Sequence, residues 1–265
     1  MQHILYASDL TSRSDRALER ACRLATEHMS HLHVIYVGAS AAESMEARRA
    51  ELDERIAGQF AELTPDETKR PDWTAYTQIG DPVQTIITRV SAVDPDLVVL
   101  GQSQDLTAAT IFQGTSTDQI VSKIAHPILV VRGPVHRSYK RTIVAFDHSL
   151  NARRAFEHAL RIAPEADLTV TKVIGDVTEA ARANAQDMVH GHLAEITRKM
   201  SNAVPQPKVD LLSGRVNDAL LAAIKTARSD LVAFGRTQKT GLEAFVLGST
   251  ASFLLGHVTC DILIL

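Results

Sequence analysis

The chain has 265 residues, 45% apolar and 22% charged, with a formal net charge of −3 at pH 7. That balance is ordinary for a globular protein and gives no electrostatic reason to expect nucleic acid or an anionic membrane as a partner. No apolar run reaches the roughly 18 residues of a membrane span, and MQHILYASDL lacks the basic and apolar regions of an export signal.

In chain order, ILYAS (4–8) is a short apolar run and predicts a strand. RSDRALERACRLATEH (13–28) predicts a helix, with Ala17, Leu18, Ala21, Leu24 and Ala25 on one stripe. HLHVIYV (31–37) predicts a strand, and 41–63 a long charged helix. WTAYTQI (73–79) predicts a strand, and PVQTIITRVSAV (82–93) a helix opened by Pro82, a position that suits proline. DLVVL (96–100) is a strand, a helix follows Gly114, and PILVV (127–131) is a fifth strand. The series then repeats and stops on a strand at Leu265.

The repetition is visible residue by residue. QIGDPVQTII (78–87) aligns with LSGRVNDALL (212–221), DPDLVVLG (94–101) with RSDLVAFG (228–235), and HPILVV (126–131) with CDILIL (260–265). Asp9 near the first strand matches Asp147 near the sixth. The chain therefore reads as two copies of one unit, 1–134 and 140–265, joined through GPVHRSYK (133–140). Five βα steps with uniformly apolar strands predict, in each copy, a five-stranded parallel doubly wound α/β sheet with helices on both faces. Ligands of such sheets bind beyond the carboxyl ends of the strands, where the strand order reverses.

One frame occurs at that end of both copies: GQSQDLTAATIFQGTS (101–116) and GRTQKTGLEAFVLGST (235–250). Its first glycine, Gly101 or Gly235, follows an apolar strand. Its last, Gly114 or Gly248, precedes a helix with Thr115 and Ser116, or Ser249 and Thr250. Glycine lets backbone approach a ligand, and a helix N-terminus offers unpaired N–H groups to phosphate. The plainer explanation is capping: Ser116 with Gln119 makes a capping box, and Ser249 is an ordinary N-cap. The copies differ in charge. Copy one has Asp105 and no Lys or Arg between its two glycines, whereas copy two carries Arg236, Lys239 and an added Gly241, which favours an anion there. Solvation of a surface loop also accounts for those two cations.

His31 and His33 alternate on a strand and can share a face, which suits either a metal or plain surface histidines. Cys22 and Cys260 stand in no metal-binding spacing, so two buried thiols in a reducing cytoplasm are expected. No GxSxG, HExxH, P-loop or SGGxDS motif is present, which argues against an efficient ATP-using enzyme.

On these residues the chain resembles a tandem universal stress protein, of the adenine nucleotide alpha hydrolase-like fold. That family's signature, G-x2-G-x9-G-[ST], falls on Gly101, Gln104, Gly114 and Thr115 in copy one, and on Gly235, Gln238, Gly248 and Ser249 in copy two. The spacing matches, and the second glycine is glutamine both times. The resemblance further implies Asp9 and Asp147 as first-strand site residues, and Val37 and Val173 as the residues whose backbone meets adenine. It implies a cytoplasmic stress-response protein that binds an adenine nucleotide, ATP with or without magnesium, and the charge difference between the two loops favours domain 2. Gln104 and Gln238 leave two alternatives open: a nucleotide-free scaffold working through protein contacts, and a slow ATPase. CDILIL resembles the family's closing strand, which pairs two units; here the pairing would be internal, with a homodimer of chains a further option.

Overall fold

Asp96 and Asp230, matched by the repeat, do the same work in each copy. In the computed structural model, Asp96 Oδ2 accepts the backbone N–H groups of Gln2 and His3, at 2.5 and 3.0 Å, where the first strand begins. Asp230 accepts those of Lys140 and Arg141, with its Oδ1 2.7 Å from Arg141 N. Each carboxylate thus ties the start of a fourth strand to the start of a first one, satisfying donors that lie outside the ladder.

The structure describes residues 1–12, 14–40, 43–101, 116–135, 137–175, 178–200, 206–238, 245–246 and 248–265, without the side chains of 116, 118, 237, 238, 245 and 246. The chain divides into two compact units, Met1–His136 with Leu242–Phe245, and Arg137–Gly241 with Val246–Leu265.

In unit 1 the elements run β1 (His3–Ser8), α1 (Asp15–His28), β2 (His31–Gly38), α2 (Met45–Leu63), β3 (Trp73–Ile79), α3 (Pro82–Val93), β4 (Leu97–Gly101), α4 (Ser116–Lys123) and β5 (Ile128–Val131). The strands lie in the order β3-β2-β1-β4-β5, and the pairings β1–β2, β1–β4, β2–β3 and β4–β5 are parallel. The order reverses between β1 and β4. Helix α1 packs on α2 and α3 on α4, one pair for each direction of winding. Residues 4–6, 97–100 and 128–131 are buried throughout, as expected of central strands covered on both faces. Helix α1 buries Ala17, Leu18, Ala21, Leu24 and Ala25, the stripe expected from its period.

Unit 2 repeats the plan: β6 (Arg141–Ala145), α5 (Leu150–Ile162), β7 (Asp167–Ile174), α6 (Glu179–Lys199), β8 (Lys208–Ser213), α7 (Val216–Ala227) and β9 (Leu231–Phe234). In chain order β10 (Thr237–Gln238), β11 (Phe245–Val246, of which Val246 belongs to unit 2), α8 (Ser249–His257) and β12 (Asp261–Ile264) follow. The sheet order is β8-β7-β6-β9-β12, again parallel and again reversing beside the first strand, between β6 and β9. The matched glycines of the third-strand turns, Gly80 (φ 154°) and Gly214 (φ 108°), both have positive φ, conformations costly for any side chain. The first long helix begins at Met45 and not at 41, where the charge pattern placed its start, and its counterpart begins at Glu179; Ser44 and Thr178 accept from backbone N–H groups and cap them.

Candidate functional site

The carboxyl ends of β6, β7 and β9 in unit 2 surround a cavity of about 230 Å³. Asp147, Val173, Gly235, Gly248, Ser249 and Thr250, all singled out from the sequence, line it together. They arrive from four places in the chain: the turn after β6, the end of β7, the end of β9 and the start of α8. Strand order brings them together, because β6 lies between β7 and β9.

The local geometry follows from the residues. Asp147 Oδ1 accepts the N–H of Ser149 at 3.0 Å, closing an Asx turn around His148, which sits at φ 67°. Copy one repeats the device: Asp9 Oδ1 accepts the N–H and the hydroxyl of Thr11, at 2.9 and 2.8 Å, around Leu10 at φ 57°. Partial burial would raise the Asp9 carboxyl, but those hydrogen bonds outweigh it and hold it below its ordinary value. At α8 the N-cap is Gly248, not Ser249, which begins the helix. Gly248 has no side chain to give, and the helix carries no side-chain cap. Its first N–H groups, on residues that line the cavity, therefore receive no bond from an N-cap side chain. The ordinary N-cap expected at Ser249 is corrected accordingly.

Arg236, expected to favour an anion from a loop, is 3% exposed and is not among the cavity residues. Its N–H donates to Leu265 O, and its carbonyl accepts from Asn151 Nδ2 at 2.7 Å, so its backbone is fixed against the end of the chain and the start of α5. The side chain of Gln238, and Lys239 and Gly241, lie outside the described residues.

Among the described residues, a cation that does line the cavity is Lys172 on β7. It occupies the position of Tyr36 in copy one, one residue before the matched Val37 and Val173. In unit 1 the Tyr36 hydroxyl instead donates to Glu43 Oε2 at 2.6 Å, with Arg48 over the ring at 5.8 Å. Thr171, Phe146, Phe234, Val216 and Leu220 complete much of the unit 2 wall. None was singled out from the sequence. The Tyr-to-Lys change in the aligned copies was the one available signal, since the others look like core residues of any parallel sheet.

In unit 1, Asp9 stands in its turn after β1, Val37 near the end of β2 and Gly101 at the end of β4. Gln104, Gly114 and Thr115 lie outside the described residues, as does the side chain of Ser116, the first residue of α4. At the opposite end of that sheet, His3 joins His31 and His33. His3 Nδ1 and His33 Nε2 are 3.1 Å apart, and the His31 and His33 ring centroids 4.5 Å. His31 and His33 also bond the hydroxyls of Thr74 and Tyr76. Among the described residues no three His, Cys, Asp or Glu side chains are arranged to hold a metal ion. No described helix is long and apolar enough to cross a membrane.

Comparison with known proteins decides the family. The model of the universal stress protein family matches the chain twice, over residues 1–132 and 138–265. The chain belongs to the universal stress protein family. A universal stress protein of Methanocaldococcus jannaschii is 25% identical over 138 residues, covering 48% of this chain and 81% of that protein. A universal stress protein A homolog of Haemophilus influenzae is 26% identical over 137 residues, covering 49% of this chain and 95% of its own length. Each such relative therefore matches one copy's length of this tandem chain. The crystal structure of a universal stress protein from Archaeoglobus fulgidus is similar over 99% of this chain and 97% of its own, with a TM-score of 0.68 and 19% identity. That likeness extends the shared α/β fold over both universal stress protein copies.

Proposed function

We propose that this tandem universal stress protein holds an adenine nucleotide, ATP in the first instance, in the unit 2 cavity, and that it does so in a sensing or regulatory role in the cytoplasm. The observation that carries the proposal is the convergence of Asp147, Val173, Gly235, Gly248, Ser249 and Thr250 on one cavity at the switch point of the sheet.

The lining suits such a ligand chemically. Val173, Val216, Leu220, Phe146 and Phe234 offer an apolar wall to a base, and Asp147 accepts hydrogen bonds from sugar hydroxyls. The uncapped N-terminus of α8, with the hydroxyls of Ser249 and Thr250, and the ammonium of Lys172 suit phosphate. At about 230 Å³ the cavity is smaller than the roughly 300–1,000 Å³ usual for small-molecule sites, so the nucleoside would fill it and the phosphates would lie toward its mouth.

Denaturing the purified protein and identifying the released small molecules, together with calorimetric titration of ATP, tests this. Binding near one ATP per chain, lost in Gly248→Leu, is the expected result. No nucleotide released and no heat of binding would sink it. Binding that survives Gly248→Leu but is lost in Gly114→Leu would move the site to unit 1.

A further inference from the structure

Among the described residues, the charged side chains that line the unit 2 cavity are Asp147 and Lys172. Directly after Asp147, His148 is held in the left-handed region, a conformation that persists for a non-glycine residue only when its surroundings fix it. Its ring stands edge-on to Phe146, itself a cavity residue, with centroids 5.2 Å apart. On the other side its Nδ1 lies 2.7 Å from Nδ1 of His192, on α6, and the two rings meet edge to face at 4.8 Å.

At 2.7 Å one of these nitrogens carries a hydrogen and the other a lone pair. The donor ring then keeps its lone pair on Nε2, and the acceptor ring keeps its hydrogen on Nε2. A first added proton enters at the donor's Nε2 and leaves the Nδ1–H···Nδ1 bond intact and charge-assisted. A second would have to land on the acceptor's Nδ1 and would break it. The pair is therefore built to take up one proton.

The charges around it come from three elements. Asp147 and Arg153 flank His148 on its own segment, and Lys172 approaches from β7. From α6 come His192 and Glu195, the latter 3.6 Å from Arg153 and 3.2 Å from Lys199. Burial first, then Lys172 and His192, hold the His148 imidazole below its ordinary value, against a smaller opposite pull from Asp147. Of the charged groups acting on His148, the strongest that opposes its charging is Lys172, which lines the cavity. A negative group seated beside Lys172 removes that opposition.

We infer that the His148–His192 pair makes the unit 2 cavity a proton-coupled site selective for anionic ligands: a negative group beside Lys172 draws one proton onto the pair, and affinity for that ligand rises as pH falls. The inference rests on the nucleotide reading of the same cavity, which supplies the probes. One coupled proton gives at most about tenfold in affinity per pH unit.

Calorimetric titrations with ATP and with uncharged adenosine, at about pH 8 and about pH 6.5, test it. The expected result is ATP binding about three- to tenfold tighter at the lower pH, with proton uptake visible as a buffer-dependent heat, and adenosine binding changed by less than about twofold. His192→Asn and His192→Gln, each checked by thermal melting, should flatten the ATP dependence. His190→Asn, a change at an exposed residue on the same helix, should leave it in place. ATP's own ionisation is common to every variant and cancels in the comparison. A pH dependence unchanged in both folded His192 variants overturns the coupling. So does ATP binding that is independent of pH, and this result leaves the nucleotide reading standing. Failure of both ATP and adenosine to bind at either pH overturns the nucleotide reading and the coupling together.

Discussion

A Cβ placed on Gly235 would stand 2.6 Å from the carbonyl carbon of Asn151 and 2.6 Å from Ala152 N, so the end of β9 and the start of α5 meet backbone to backbone. Real Cβ atoms do not tolerate such distances, and neither neighbour is a flexible side-chain tip that can swing away. Gly235→Ala should therefore destabilise unit 2 by about 1–3 kcal/mol. Among the described residues, the matched Gly101 meets only the Ala17 Cβ, at an ordinary 3.7 Å. Gly101→Ala should be neutral, or stabilising by up to about 1 kcal/mol. Denaturant unfolding of the two variants checks this, and equal losses would count against it.

The equivalent helices α3 and α7 start differently. Asp81 accepts the N–H of Gln84 at 2.8 Å and leads into Pro82, whereas Arg215 caps α7 with no side-chain bond. Asp81→Ala should cost about 1 kcal/mol, and Arg215→Asp should gain about 0.5–1 kcal/mol by adding both a cap and a favourable charge at the helix N-terminus. Urea midpoints read both, and a loss on Arg215→Asp would contradict the capping account.

Acid should weaken unit 1 through His33. Burial first, then His31, His3 and Arg89, push its imidazole down to about 4, while in an unfolded chain it titrates near 6.5. Between those values the unfolded state binds more protons than the folded one. The stability owed to neutral His33 is thus complete above about pH 6.5 and is lost as pH falls toward 4. Trp73, the single tryptophan of the chain, lies in β3 of the same unit and reports its unfolding. Its urea midpoint should drop from pH 7 to pH 4.5, and it should drop less in His33→Gln.

Both cysteines are buried, and burial raises the Cys22 thiol far above its ordinary value. Because the thiolate is the reactive form, a thiol reagent at about pH 8 should label neither cysteine in the folded protein and both in urea. Rapid labelling of Cys22 without unfolding would show that α1 opens on its own.

How the site is divided between the two levels is clear at particular residues. Gly235 and Gly248 were legible because the repeated frame fixes which residues end strands and which begin helices, and a parallel sheet puts those ends on one edge, whereas Asp147 and Val173 were placed at the site by the family resemblance. Lys172 was not legible, because a lysine three-quarters of the way along an unremarkable strand announces itself only when the register of β7 against β6 and the strand order are known. Arg236 misled for the opposite reason. Its sequence neighbours are loop-like, but its backbone is held by Leu265 and Asn151 and its side chain is buried.

By itself, then, the sequence determined the duplication, the βα rhythm, the parallel sheets and the edge at which a ligand would bind. All of these depend on periodicity and on local residue type, which survive in one dimension. Only the tertiary structure decided that Lys172 reaches the cavity, that Gly235 is needed for a close approach and not for a ligand alone, and that His148 meets His192 across 44 residues of chain. Those outcomes depend on distances between elements far apart in sequence, and close packing sets such distances to within tenths of an ångström where no local pattern records them.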